Sequence, residues 1–257
     1  MSPEQIEELG SALTQCRKHG VVADLPVHLI GSDDEAEAVQ TAAVEAYGGD
    51  PCGYSVQATT PLSQRLLGCP TPIFGPLLDT DVVESGTSFR LPRGVLGAGC
   101  ALSFILARPY PTDGEEISRQ TVSRAIASCR LVIEVLGRRV PGSVPLNTRT
   151  ATADFALMVV HVQGPRVDHW WDLDLSGTQA LARLNGVVLA QSDCAEVLGD
   201  PLEAIAWLAR ALAARGRELE AGDCVTTGTC TGLLQVLSGQ TFQAEATGLG
   251  KVSVSFE

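Results

Sequence analysis

Residues 200–216, DPLEAIAWLARALAARG, constrain the fold more than any other stretch of the chain. Apolar residues recur there at i, i+3 and i+4, with Asp200 at the N-cap, Pro201 at the first helical position and Gly216 at the C-terminal stop. The tail that follows, AGDCVTTGTCTGLLQVLSGQTFQAEATGLGKVSVSFE, alternates short strands with glycine turns and ends in the strict alternation KVSVSFE. Helical and strand periodicities side by side predict a mixed α and β protein.

Two more amphipathic helices open the chain. Residues 3–20 carry Ile6, Leu9, Leu13 and Cys16 at helical spacing, with Ser2 as N-cap and Gly20 at the end. Ser32 caps a second helix carrying Ala36, Val39, Ala43 and Tyr47, which stops at Gly48–Gly49. From Gly53 to about Pro145 short apolar runs broken by glycine and proline (GYSVQATT, TPIFGPLL, TSFRLP, ALSFILARPYP) read as strands. A helix is expected over 115–128, followed by a buried strand in SCRLVIEVLGRRV. Another strand is expected over 154–165, and Asn185–Gly186 should turn a hairpin. No linker or repeat divides the chain. Residues 1–50 are expected as an N-terminal helical segment and 51–257 as a β-rich body, in one structural unit.

Of the 257 residues, 45% are hydrophobic and 19% charged, which excludes disorder. Thirty acidic against eighteen basic residues give a net charge of −12, which would repel a phosphate backbone, so nucleic acid is not an expected partner. No stretch approaches the roughly 20 apolar residues of a bilayer span, so no membrane association and a cytoplasmic location are expected. Eight scattered cysteines without a CxxC pair fit reduced, mostly buried thiols.

Three motifs in order, GDPLEAIAWLARALAARG, LEAGDCVTTGTCTG and GLGKVSVSFE, carry a resemblance. The chain resembles the 2-keto-4-pentenoate hydratase and 4-oxalocrotonate decarboxylase group of the fumarylacetoacetate hydrolase superfamily. The likeness extends upstream through residues 64–78, 101–111, 130–139 and 150–156. It implies an α+β fold: a twisted mixed β-roll or sandwich body, flanking helices and an N-terminal helical segment, assembled as a homo-oligomer. It also implies lyase chemistry on small 2-oxo acids, with magnesium or manganese chelating the substrate and stabilising enolate charge.

Matched residue by residue, the resemblance implies a divergent member. The group's metal ligands are three glutamates; their positions here hold Gly99, Ala101 and Glu134. Ser55 stands at the group's lysine, Ile73 at an aspartate, and Asp154–Phe155 at an Asp-Asn pair. No cofactor is therefore expected, with weak magnesium or manganese binding left open. The inferred pocket retains Ser55, Cys100, Glu134, Arg139, Asp154, Thr227 and Thr229.

Several of these residues have two readings. Glu134 is either the proton-transfer group or a carboxylate paired with Arg139 or Arg130. Cys100 is a nucleophile or a buried thiol. Thr227–Gly228 either binds a substrate carboxylate or simply ends a strand, and Ser55, Arg139 and Asp154 are the other substrate-binding candidates. His161 lines the interior or faces solvent, while His169, Trp170 and Trp171 form a ligand platform, an oligomer contact or core. Two functions follow: lyase- or tautomerase-type chemistry on an oxo acid or enol without a tightly bound metal, or a non-catalytic paralogue serving as partner subunit, binding module or scaffold.

Overall fold

The computed structural model describes residues 1–257. Helix α1 (Pro3–His19) begins at Ser2, which shares a capping box with Gln5, and ends at Gly20 in the left-handed region. Helix α2 (Asp33–Tyr47) starts at Ser32 and stops at Gly48, as expected from sequence. The two helices pack so closely that a Cβ on Gly10 would sit 2.8 Å from Ala42 Cβ. Leu9, Leu13, Val39 and Ala43 form the core between them.

Strand β1 (Pro51–Gln57) leads to helix α3 (Pro61–Leu67), then to β2 (Ile73–Leu78), β3 (Val82–Glu84), β4 (Ser88–Phe89) and β5 (Val95–Leu106). Helix α3 corrects the all-strand expectation for this region. Thr60, Pro61 and Ser63 form a capped start and Gly68 a left-handed stop, signals as clear as those of α1 but compressed into seven residues. Helix α4 (Arg119–Ala125) is shorter than the expected 115–128, because the chain becomes strand β6 (Ile126–Gly137) without a break. Helix α5 (Thr148–Ala153), capped by Asn147, was not anticipated. Residues 155–157 then turn in 3₁₀ geometry, so β7 (Met158–Gln163) starts later than expected. The hairpin of β8 (Gln179–Leu184) and β9 (Val187–Asp193) turns at Asn185–Gly186, both at positive φ. Helix α6 (Pro201–Ala213) has the expected N-terminus at Asp200, but its cap is Ala214 and Gly216 belongs to the turn beyond. Strands β10 (Cys224–Thr229), β11 (Thr241–Ala246) and β12 (Gly250–Phe256) complete the chain.

The strands form a seven-stranded sheet, β2-β1-β10-β5-β6-β7-β3, and a five-stranded sheet, β4-β12-β11-β8-β9. One face of the larger sheet, with Val56, Leu102, Phe104, Leu131 and Ile133, packs into the main core with Phe242, Val252 and Val254 of the smaller sheet and with α6. The opposite face is the inside of a roll. Strands β1 and β6 are separated by β10 and β5, and three steps of about 4.8 Å would hold them about 14 Å apart in a flat sheet. Yet Gln57 Nε2 on β1 donates to Glu134 Oε1 on β6 at 3.0 Å. The sheet therefore curls around this face, to which β5 contributes only the small residues Gly99 and Ala101. The fold is α+β, a rolled mixed sheet with flanking helices. No helix is long and apolar enough to cross a membrane.

Candidate functional site

Strand alternation builds the inside of the roll. On β6 it selects Arg130, Val132 and Glu134; cross-strand pairing sets Ser103, Ala101 and Gly99 of β5 beside them and His161 of β7 beside Glu134. Strand β1 contributes Ser55 and Gln57, and β10 contributes Thr226, paired with both Ser55 and Ser103. Ser55, Gln57, Ser103, Glu134, His161 and Thr226 are all buried. Six polar side chains facing inward from five adjacent strands are an unusual filling for a roll.

Glu134 is their centre. Its Oε1 accepts from Gln57 Nε2 and, at 3.3 Å, from Ser55 Oγ, while its Oε2 is buried with no hydrogen-bond partner. Burial raises its pKa to about 7, against the opposing pull of Thr226, Gln57 and Ser55. A carboxyl poised there can exchange a proton near neutral pH. Burial holds His161 down to about 4, so the ring is neutral, and both of its nitrogens lack partners. Ser103 Oγ and Arg130 Nε are likewise unpartnered. None of the five main cavities of the molecule is lined by Glu134, Ser55, Gln57 or His161. The centre is polar but closed.

The expected residues separate into several places. Ser55 reaches Glu134. Arg139 does not: it pairs with Asp154 at 3.3 Å and donates to the carbonyls of Gly137 and Met158, with no bond to Glu134. Arg17 pairs with Asp81 nearby, so two buried ion pairs sit beneath α1, apart from Glu134. Glu134 therefore has no arginine partner, which corrects the pairing considered with Arg139 or Arg130. Thr227 Oγ1 donates to the Leu102 carbonyl, and its own carbonyl accepts from Thr59. Gly228, at φ 81, allows Thr59 to pack against the backbone, so this pair braces the end of β10. Thr229 is buried next to it.

Cys100 points to the other face of β5. Its thiol contacts the Leu181 carbonyl at 3.4 Å and burial pushes it up to about 12, which makes it a core thiol and not a nucleophile. Ile73 and Phe155 belong to two smaller hydrophobic clusters. Trp170 packs edge-on against Phe104 in the core, whereas Trp171 is exposed and meets the His169 ring. Gln57, Ser103 and Thr226 are the members of the centre that sequence reading missed. The signal was present, because Gln57 follows Ser55 by two residues and so shares its face of the strand.

A divalent cation does not fit the donors present. A resident magnesium needs several fixed oxygen ligands in near-octahedral array, and Glu134 is the only buried carboxylate on this face; Glu84, at the exposed edge on β3, is taken by Gln163. No group of three or more His, Cys, Asp or Glu side chains in the molecule is arranged to hold a metal. At position 99 there is no room for a longer side chain: a Cβ would collide with the Gly232 carbonyl oxygen and lie 2.7 Å from Thr229 Cγ2.

Comparison with known proteins bears on this geometry. Residues 71–256 match the family model of the fumarylacetoacetate (FAA) hydrolase C-terminal domain. The chain is 28% identical to the 2-keto-4-pentenoate hydratase of Paraburkholderia xenovorans (strain LB400), over 100% of this chain and 97% of that protein. It is 31% identical to 2-keto-4-pentenoate hydratase 2 of Dechloromonas aromatica (strain RCB), over 88% of this chain and 87% of that one. Among solved structures it is similar to 4-oxalocrotonate decarboxylase from Pseudomonas putida G7, complexed with magnesium and adipate. The TM-score is 0.90 at 24% identity, covering 100% of this chain and 99% of the other.

Proposed function

This chain belongs to the fumarylacetoacetate hydrolase C-terminal family, and from that premise we propose that it keeps the fold of the hydratase and decarboxylase group without metal-dependent turnover, acting as a binding or partner subunit. One observation carries the reading. The carboxylate Glu134 stands alone, and the position beside it, Gly99, is packed against Gly232 and Thr229 so that a second ligand side chain has no space. Loss of a metal's Lewis acidity removes several kcal/mol of enolate stabilisation, and no cationic side chain bonds to Glu134 in its place. Residues 1–50 act with 51–257 as one unit in this proposal, since Gln40 of α2 donates to the carbonyls of Phe74 and Thr152. Homo-oligomerisation belongs to it too: edge strand β9 exposes Val187, Val188 and Leu189 in succession.

A second reading is favoured by the pKa of Glu134. With Oε1 fixed by Gln57 and Ser55 and Oε2 free, the carboxyl could move a proton on a small 2-oxo acid or its enol, without metal, when the roll opens. Turnover of 2-hydroxypenta-2,4-dienoate by the purified protein, with and without magnesium or manganese, separates the two. No turnover in either condition is expected. Metal-independent turnover abolished by Glu134→Gln would favour the second reading, and turnover that requires the metal would overturn both.

A further inference from the structure

The chain is strongly acidic, yet six of its eighteen lysines and arginines line one cavity: Arg17, Lys18, Arg90, Arg93, Arg138 and Arg139. The cavity has a volume of about 720 Å³ and lies between the C-terminal end of α1, residues 89–93 and residues 137–139. Asp81 is the only carboxylate in its lining. Two of the cations are spoken for, Arg17 by Asp81 and Arg139 by Asp154. The side chains of Lys18 and Arg138 bond only to backbone carbonyls, those of Arg90 and Arg93 to nothing in the protein. None of these four has an ionic partner.

Such a concentration is costly. Like charges gathered in a concavity repel one another, and low-dielectric walls strengthen the field. In a protein with a net charge of −12, dispersed cations would find acidic partners easily. A second observation points the same way: the Arg17 side chain is 5% exposed, yet its Nη1 has no hydrogen-bond partner. The C-terminal end of a helix would ordinarily repel an anion, but two of the last α1 carbonyls are occupied, that of Arg17 by the Gly20 N–H and that of Cys16 by the Val21 N–H. Terminal Glu257, whose backbone pairs with Phe89 and Leu91, does not line the cavity.

We propose that this cavity binds a nucleotide-sized phosphate ester carrying at least two phosphate charges. Four unpaired cations call for more negative charge than a small dicarboxylate brings, and guanidinium groups match phosphate oxygens in pairs. The volume lies within the range of sites for cofactor-sized molecules and would leave a six-carbon diacid loosely held. Part of the wall is apolar, with Val83, Phe89, Leu91 and Val159, and offers a surface to the organic portion of the ester. No residue around Glu134 takes part, so the site stands whether or not the roll interior is catalytic.

Calorimetric titration of the full-length protein with ADP, pyrophosphate and citrate tests the proposal. It compares wild type, Arg90→Glu/Arg93→Glu, and the charge-matched control Arg65→Glu/Arg124→Glu, all four positions being exposed. ADP should bind wild type and control alike, ahead of citrate, and more weakly as salt is raised. The Arg90/Arg93 variant should lose at least roughly tenfold in affinity, the effect of losing one charge-assisted hydrogen bond. Citrate binding as tightly as ADP would overturn the assignment to phosphate. Absence of ADP and pyrophosphate binding to wild type, or equal losses in the two variants, would overturn the site. A change in oligomeric state of the Arg90/Arg93 variant without any wild-type ADP binding would also overturn it, and would assign the cavity to acidic residues of a second copy.

Discussion

Replacing Glu134 by glutamine tests whether the carboxyl at the centre of the roll is held away from its ordinary ionisation. The amide has nearly the same shape and can still accept from Gln57 Nε2 and Ser55 Oγ, so packing is preserved. In the unfolded chain the carboxyl titrates near 4.5, in the folded one near 7. Between those values the unfolded state has released the proton and the folded state has kept it. Stability is therefore lost as pH rises through this window and stays lower above it. At roughly 1.4 kcal/mol for each pH unit, the full effect is about 3 kcal/mol, most of it between pH 5 and 8. Glutamine does not titrate. Urea unfolding of both proteins at pH 5 and pH 8, at one protein concentration and ionic strength, should show Glu134→Gln gaining on wild type by about 2–3 kcal/mol at the higher pH. His161 stays neutral in the folded state in this range and cancels in the comparison. Stabilities that run parallel with pH would refute the reasoning, because they would mean that Glu134 reaches water or an unrecognised cation.

Three other substitutions perturb the surroundings of Glu134 and the ion pair beneath α1. His161→Gln should flatten the acid limb of the stability profile: burial lowers the histidine to about 4, so its contribution is present above the unfolded value of 6.5 and is lost as pH falls toward 4. Circular dichroism through an acid titration would show it, and an unchanged limb would mean the imidazole has a partner. Asp154→Ala should cost about 3–5 kcal/mol in urea unfolding by stranding the buried Arg139 guanidinium, whereas a surface ion pair would cost less than about 1. Gly99→Ala should lower stability by about 1–3 kcal/mol in thermal unfolding, since its Cβ meets the Gly232 carbonyl; a neutral result would mean that the position has room for a ligand side chain.

The sequence carried the framework well where local signals and burial agreed. Ser2, Ser32 and Asp200 start their helices, and Asn185–Gly186 turns its hairpin, because each satisfies backbone groups within a few residues. Helices α3 and α5 have caps of the same kind, but their shortness leaves no apolar periodicity to read between them. Each is one or two turns long, and what stabilises it is docking of Leu67 and Ala151 onto a cluster assembled from distant segments. The centre of the site was half legible. Alternation places Ser55 and Gln57 on one face and Glu134 on another strand's face, but nothing local says that the sheet curls until β1 and β6 meet across it. Arg139 and Asp154 sit close in sequence to residues of the site, yet a register change between Val135 and Leu136 and the 3₁₀ turn at 155–157 carry them to a different cluster. The basic cavity left no trace in a net charge of −12, because charge totals do not record where the cations gather.

A single carboxylate closed inside the roll leaves no resident site for a divalent cation. Manganese titration of the protein, followed by loss of the free-ion electron paramagnetic resonance signal, measures this directly. No saturable site tighter than the millimolar range is expected, with Glu134→Gln indistinguishable from wild type. One site per chain of micromolar affinity, lost in Glu134→Gln, would contradict it.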